Sequence, residues 1–310
     1  MNIRPETPRD YAAIADLHVR AFGGRTEEAL IVTLLRQRRE YDPELSLVAE
    51  VDGRVVGHAL FSPYNIRLLG QAVQAVNLAP IGVDPNAQKH GIGGALIEEG
   101  HRIARDKGYT LSFLLGHDTY YPRFGYKTGV YGIASADIPN RDLPRRGWAG
   151  EQPLKGRDPV ATDILALRDL WLREEGHIDF AIAPGDSLLD WISPNPNMDE
   201  AVYLRDGEIV GFSRVLSTEP GSPRMFLAAD KETAIEMAAY LIMVGKSITL
   251  PLHPYSRSAA AFDVKPQVTP WNAAMACSLA PGPFDDYYAQ LQAGTRLPGR
   301  VIWPVAFDLA

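Results

Sequence analysis

The stretch from Leu78 to Ala95, Leu-Ala-Pro-Ile-Gly-Val-Asp-Pro-Asn-Ala-Gln-Lys-His-Gly-Ile-Gly-Gly-Ala, constrains the chain more than any other. A strand read from Gln74 to Val83 meets a glycine-rich turn, and the run Ala95 to Lys107 then puts Leu96, Ile103 and Ala104 on one helical face. The glycines at 91, 93 and 94 permit positive φ and let the main chain approach a ligand without a Cβ in the way. They precede a helix N-terminus with unpaired donors and partial positive charge, which favours an anion such as phosphate. Pro80 cannot donate to a ladder, so it marks an edge, a bulge or a splay in the strand.

Neither the dinucleotide fingerprint nor the phosphate-loop motif of nucleotide hydrolases fits these spacings. The pattern that does fit is Gln/Arg-x-x-Gly-x-Gly/Ala, present as Gln88-Lys89-His90-Gly91-Ile92-Gly93 and followed by Gly94. Val83-Asp84-Pro85 stands just before it, and Tyr121-Pro-Arg-Phe-Gly125-Tyr126 follows. On these three signals the chain resembles the GNAT superfamily of acyl-CoA-dependent N-acyltransferases. The resemblance implies an α/β fold with a GNAT-type mixed twisted sheet flanked by helices, and a loop that holds the coenzyme A pyrophosphate. It also implies that the sheet parts near Gly82, where the N–H groups of Ile81 and Val83 bind the thioester carbonyl and the pantetheine amide. Tyr121 matches the tyrosine that protonates the departing thiolate. His117, close by in sequence, is a candidate base, and His58 is held in reserve. The chain departs from the common pattern at Leu114, where many members carry an asparagine. Without the resemblance, Tyr121 reads as an aromatic packed beside Phe124 and Tyr126, and Pro80 as a bulge with no ligand.

The first half opens with a short strand at Ile3-Arg4, a helix carrying Ile14, Leu17 and Phe22, and a second helix from Glu27 to Arg38. Two β-rich runs joined at Asp52-Gly53 form a hairpin, and Tyr109 to Leu115 supplies the strand after the long helix. Asp118 reads as a helix N-cap.

Asp206-Gly207-Glu-Ile-Val-Gly211 repeats Asp52-Gly53-Arg-Val-Val-Gly57, each after an apolar strand. A helix from Thr162 to Arg173 precedes the second copy. A strand from Arg224, a helix from Glu232 to Val244 and a strand from Ser247 follow it. Between strand and helix this copy has no glycine, and Asp230 and Glu232 stand where a phosphate would be repelled. Residues 134 to 160, rich in proline and glycine and with a basic run from Arg141 to Arg146, read as a boundary. The expected organisation is a GNAT domain over 1–150 and a second α/β domain, a degenerate GNAT-like repeat, over 151–310. A sterol-carrier-like domain is the alternative for the second.

At 310 residues and 46% hydrophobic the chain can bury sizeable cores. A formal charge of -7 disfavours nucleic acid and anionic membranes and favours cationic ligands such as amines. Cys277 is the only cysteine, so no intrachain disulfide or cysteine metal cluster forms, and the composition has no membrane-spanning run. The expectation is a cytoplasmic N-acetyltransferase that moves an acetyl group from acetyl-CoA to a primary amine, small-molecule or peptide, by direct attack and without a metal. The alternative is a non-catalytic acyl-CoA-binding or sensing protein. The apolar tail Val301 to Ala310 is expected to pack on one of the two halves.

Overall fold

A computed structural model describes residues 1–144, 154–242 and 246–309. Strand β1 (Asn2–Pro5) leads into α1 (Tyr11–Ala21) through a corner fixed by Asp10, whose carboxylate accepts from Arg4 at 2.7 and 2.9 Å and from the Thr7 N–H at 2.8 Å. Helix α1 buries Ile14 and Leu17 completely, and α2 (Glu27–Leu35) buries Ile31, Val32 and Leu35 beside it. Strands β2 (Ser46–Val51) and β3 (Arg54–Leu68) meet at Asp52-Gly53, with φ of 50° and 75°. Positive φ at both positions is the geometry whose twist suits a two-residue hairpin. β4 (Gln71–Val83), α3 (Ile92–Asp106), β5 (Leu111–Leu115) and β6 (Tyr131–Pro139) follow.

The second half runs β7 (Lys155–Arg157), α4 (Ile164–Glu175), β8 (Met198–Arg205), β9 (Glu208–Leu216), β10 (Met225–Ala228) and α5 (Lys231–Leu241). It repeats the first half in detail. Sheet order β10-β9-β8-β7 mirrors β4-β3-β2-β1, and both hairpins carry a register shift at the same place, after Ala49↔Gly57 and after Tyr203↔Gly211. Each of those glycines admits a helix: a Cβ on Gly57 would lie 2.8 Å from Ile92 of α3, and one on Gly211 2.3 Å from Met237 of α5. Even the opening corner recurs, since Asp163 accepts from Arg157 at 2.7 and 2.9 Å and from the Val160 N–H at 2.8 Å.

The pairing of the remaining strands departs from a simple tandem. β11 (Ser247–Leu250) lies antiparallel to the second half of β6 rather than beside β10, and β12 (Gln267–Pro270) pairs with the first half of β6. β13 (Ala274–Ser278) pairs antiparallel with β5 and completes the sheet β1-β2-β3-β4-β5-β13. A division at residue 150 therefore splits the sequence but not the sheets: the first sheet takes its last strand from beyond residue 270. Residues 134–139, read as the start of a linker, are the end of β6. Arg145 and Arg146 of the basic run, Val244 and the tail residue Ala310 lie outside the described residues. The tail from Val301 touches both halves: Trp303 stacks on Phe113, Ala306 joins the core under α2, and Asn195 donates to the Asp308 carbonyl at 2.9 Å.

Helix α3 lies so close to β3 that a Cβ on Gly100 would stand 2.0 Å from the ring of the fully buried Phe61. Intrinsic propensity makes Gly→Ala in a helix interior stabilising by about 1 kcal/mol. Here overpacking, at about 1 to 3 kcal/mol, opposes it. Gly100→Ala is therefore expected to lower the urea midpoint, and Phe61→Leu in the same chain to recover part of the loss. A midpoint that rises in the single variant would contradict this packing.

Candidate functional site

The site begins where β4 leaves its neighbours. β4 pairs with β5 only over Ala75 to Asn77, so Leu78 to Val83 have no β5 partner. On the other side the β3 ladder shifts between Ala59↔Ile81 and Phe61↔Leu78, setting Ala79 and Pro80 against Leu60 alone. The irregularity expected at Pro80 is thus a bulge at the head of a parting of strands. Asn77, buried at the fork, donates to the Phe113 carbonyl at 3.1 Å.

Ile81, Gly82 and Val83 run from this fork to the loop, where Gln88 donates to the Val83 carbonyl at 3.3 Å and the His90 ring lies 3.3 Å from the Ala87 carbonyl. Gly91 caps α3 in the left-handed conformation, φ 79°, and Lys89 is also left-handed, φ 65°. The first α-helical bond runs from the Ala95 N–H to the Gly91 carbonyl, so the preceding amides have no partner within the helix. Gly93 and Gly94 differ from the expectation of positive φ, because both are helical residues of the first turn. Their lack of a side chain serves close packing: a Cβ on Gly93 would lie 2.8 Å from the Tyr120 hydroxyl, and one on Gly94 3.1 Å from Phe124.

Across the fork, β5 ends in Leu115 and Gly116-His117 leads to a short 3-10 helix over Tyr121–Phe124. Tyr120 occupies its N-cap position, so Asp118 does not cap a helix there. The Tyr121 ring lies on Gly116, where a Cβ would stand 2.4 Å from it, and meets Tyr126 edge-on at 5.8 Å. Burial, helped by neighbouring Tyr120, pushes its phenol up to about 12. Leu114, in place of the family's asparagine, is buried, and its carbonyl accepts from the Tyr131 hydroxyl at 2.6 Å.

The fork opens into a cavity of about 1120 Å³. Leu78 to Ile81, His117 and Tyr121 form one wall, β6 and Trp271 another, and Met198, Arg214 and Arg224 of the second half the far side. Phe22 and Glu28 from the first two helices also line it, and the tail from Arg300 to Trp303 crosses it. Clefts of this size between packed units commonly hold ligands.

His58 is absent from that wall. It is fully buried, its Nε2 lies 3.3 Å from Glu6 and 3.0 Å from Ser46 Oγ, and its Nδ1 lies 2.8 Å from His18 Nε2. Although burial alone would raise Glu6, hydrogen bonds from Arg36, His58 and Tyr41 hold it well below the usual carboxylate range. Burial lowers both imidazoles, His18 to about 3. An anionic Glu6 makes His58 Nε2 the protonated nitrogen, and His18 Nε2 then donates to His58 Nδ1. The chain ends at His18 Nδ1, against Gly82, where a Cβ would stand 3.0 Å away. Sequence inspection gave no hint of this network, because its members come from the turn after β1, from α1, β2 and β3, and from the residue that caps α2.

The second half has no counterpart of the glycine loop. Eight residues, Asp84 to Gly91, separate β4 from α3, whereas only Ala229 and Asp230 separate β10 from α5. Asp230 caps α5 with its own carboxylate, accepting from the Thr233 N–H at 2.8 Å.

A mixed sheet that parts at its fourth and fifth strands, with a glycine loop heading the helix after the fourth, defines the GNAT type of α/β fold. Residues 2–129 match the family described as acetyltransferase (GNAT) domain. The uncharacterized N-acetyltransferase YhbS of Escherichia coli strain K12 is 33% identical over 132 residues, which cover 42% of this chain and 76% of that protein. The uncharacterized N-acetyltransferase YjhQ of the same strain is 38% identical over 118 residues, 38% of this chain and 65% of that protein, so less than two thirds of YjhQ is spanned. The chain belongs to the GNAT acetyltransferase family. A GCN5-related N-acetyltransferase from Kribbella flavida has the same fold over 90% of this chain and 72% of its own, with a TM-score of 0.70 and 18% identity. The likeness of fold therefore extends through the second half. No helix among the described residues is long and apolar enough to cross a membrane.

Proposed function

We propose that this chain transfers an acetyl group from acetyl-CoA to a primary amine by direct attack of the amine on the thioester. The observation that carries the reading is the fork at β4 and β5, which joins the glycine loop to a cavity with Tyr121 on its wall. In this reading the amides of Gln88, Lys89, His90, Gly91, Ile92, Gly93 and Gly94 face the pyrophosphate. Ile81 and Val83, spaced by Gly82, offer main-chain donors to the thioester carbonyl and the pantetheine arm, where charge develops as the amine adds. Tyr121 gives its proton to sulfur as the C–S bond breaks. His117, exposed beside it and on the same cavity wall, is the candidate base on this side of the fork. The acceptor, a small molecule or a peptide, enters where the two halves meet.

The test is release of free thiol from acetyl-CoA against a panel of amines. Thiol release with none of them, in protein that still binds acetyl-CoA, would favour the acyl-CoA-binding reading instead. Isothermal calorimetry is expected to give one coenzyme per chain, because Asp230 and the two-residue connection leave α5 no phosphate site. A stoichiometry of two would overturn the asymmetry between the halves.

A further inference from the structure

Tyr121 and His117 both follow β5, on one side of the fork, and His117 is exposed rather than held against a partner. The opposite side is built by β4 and by α2, which packs against it. Glu28, in the first turn of α2, lines the same cavity as Ala79 to Ile81 and Tyr121. Its side chain is only 10% exposed. Arg25 holds Oε1 in a short ion pair, and Oε2 is buried with no hydrogen-bond partner among the described residues. A buried carboxylate oxygen without a donor is a costly arrangement that calls for a partner from outside the fold. The other carboxylate on the wall, Asp308, is already opposed to Arg214 at 3.6 Å. Glu6, though buried, belongs to the sealed histidine chain.

We propose that Glu28 is the catalytic base of the transfer, its free Oε2 accepting the proton of the acceptor amine. The assignment rests on the acetyltransferase reading above. The step balances as follows: the neutral amine forms the N–C bond and loses one N–H proton to Glu28 Oε2, the C–S bond breaks, and sulfur takes the Tyr121 proton. Solvent then carries a proton from Glu28 back to Tyr121. Base and acid thus stand on opposite sides of the fork, the base on the side of the entering nitrogen and the acid on that of the leaving sulfur. Arg25 fixes the carboxylate by one oxygen and leaves the other free.

Glu28→Gln keeps the shape and removes the base. It is expected to lower kcat/KM for amines by roughly 10²-fold or more, the usual worth of a positioned base, with KM for acetyl-CoA unchanged. Glu28→Ala opens room for a small carboxylate, so added formate is expected to restore much of its lost rate, which a purely structural role would not allow. Wild-type turnover matched by Glu28→Gln would overturn the assignment alone, as would a loss in Glu28→Ala that formate leaves untouched. Wild-type protein that acetylates no amine would overturn the transfer reading and this base with it.

Discussion

Gly93→Glu is expected to abolish acetyl-CoA binding while leaving the protein folded. Gly93 is the second residue of α3, two positions after the left-handed cap at Gly91. A side chain there starts 2.8 Å from the Tyr120 hydroxyl and must turn outward, over the amides that would face the pyrophosphate. A carboxylate held about 4 Å from a phosphate at an effective dielectric near 20 costs about 4 kcal/mol, or roughly 10³ in Kd. Gly93→Ala separates size from charge, since the Tyr120 hydroxyl is the far end of a movable side chain, and its loss of affinity should be far smaller. Calorimetry on the two variants decides: undiminished affinity in Gly93→Glu would remove the pyrophosphate from this loop.

Tyr121→Phe is expected to lower kcat by roughly 10² to 10⁴ with little change in acetyl-CoA affinity, because in the proposed transfer the hydroxyl would act on sulfur charge that exists only as the bond breaks. The ring's packing on Gly116 and Tyr126 is kept in phenylalanine, so a loss of rate belongs to the hydroxyl and not to the fold. With its phenol pushed up to about 12, Tyr121 stays protonated across the working range. Single-turnover kinetics with chemistry rate-limiting gives the answer, and an unchanged rate would make Tyr121 a packing residue.

What could be read from the sequence was local. The Asp52-Gly53 and Asp206-Gly207 turns, the glycine loop at the head of α3 and the irregularity at Pro80 each follow from the conformational limits of a few adjacent residues. The absence of a second loop was legible in the same way, from Asp230 and Glu232. The positive φ expected at Gly93 and Gly94 is not found there, and their close packing against Tyr120 and Phe124 is invisible without the tertiary fold. The matching corners at Asp10 and Asp163 share an Arg six residues upstream, a spacing present in the sequence but masked by the different residues between. Glu28 and the Glu6–His58–His18 chain could not be found by inspection, because nothing local distinguishes a helix glutamate that meets a cavity from one that meets water. β13 was hidden for a related reason: Ala-Met-Ala-Cys-Ser reads equally well as part of any apolar core.

The placement of β13 sets an order of events during synthesis. β5 leaves the ribosome with its outer edge bare, and the strand that covers it, Ala274–Ser278, follows only after most of the second half has been made. At typical elongation rates that gap lasts roughly 10 to 30 s. Throughout it, one side of the fork carries an open strand edge of the kind that recruits other chains. The nascent first sheet must therefore wait, with one edge uncovered, until the chain has been made through Ser278.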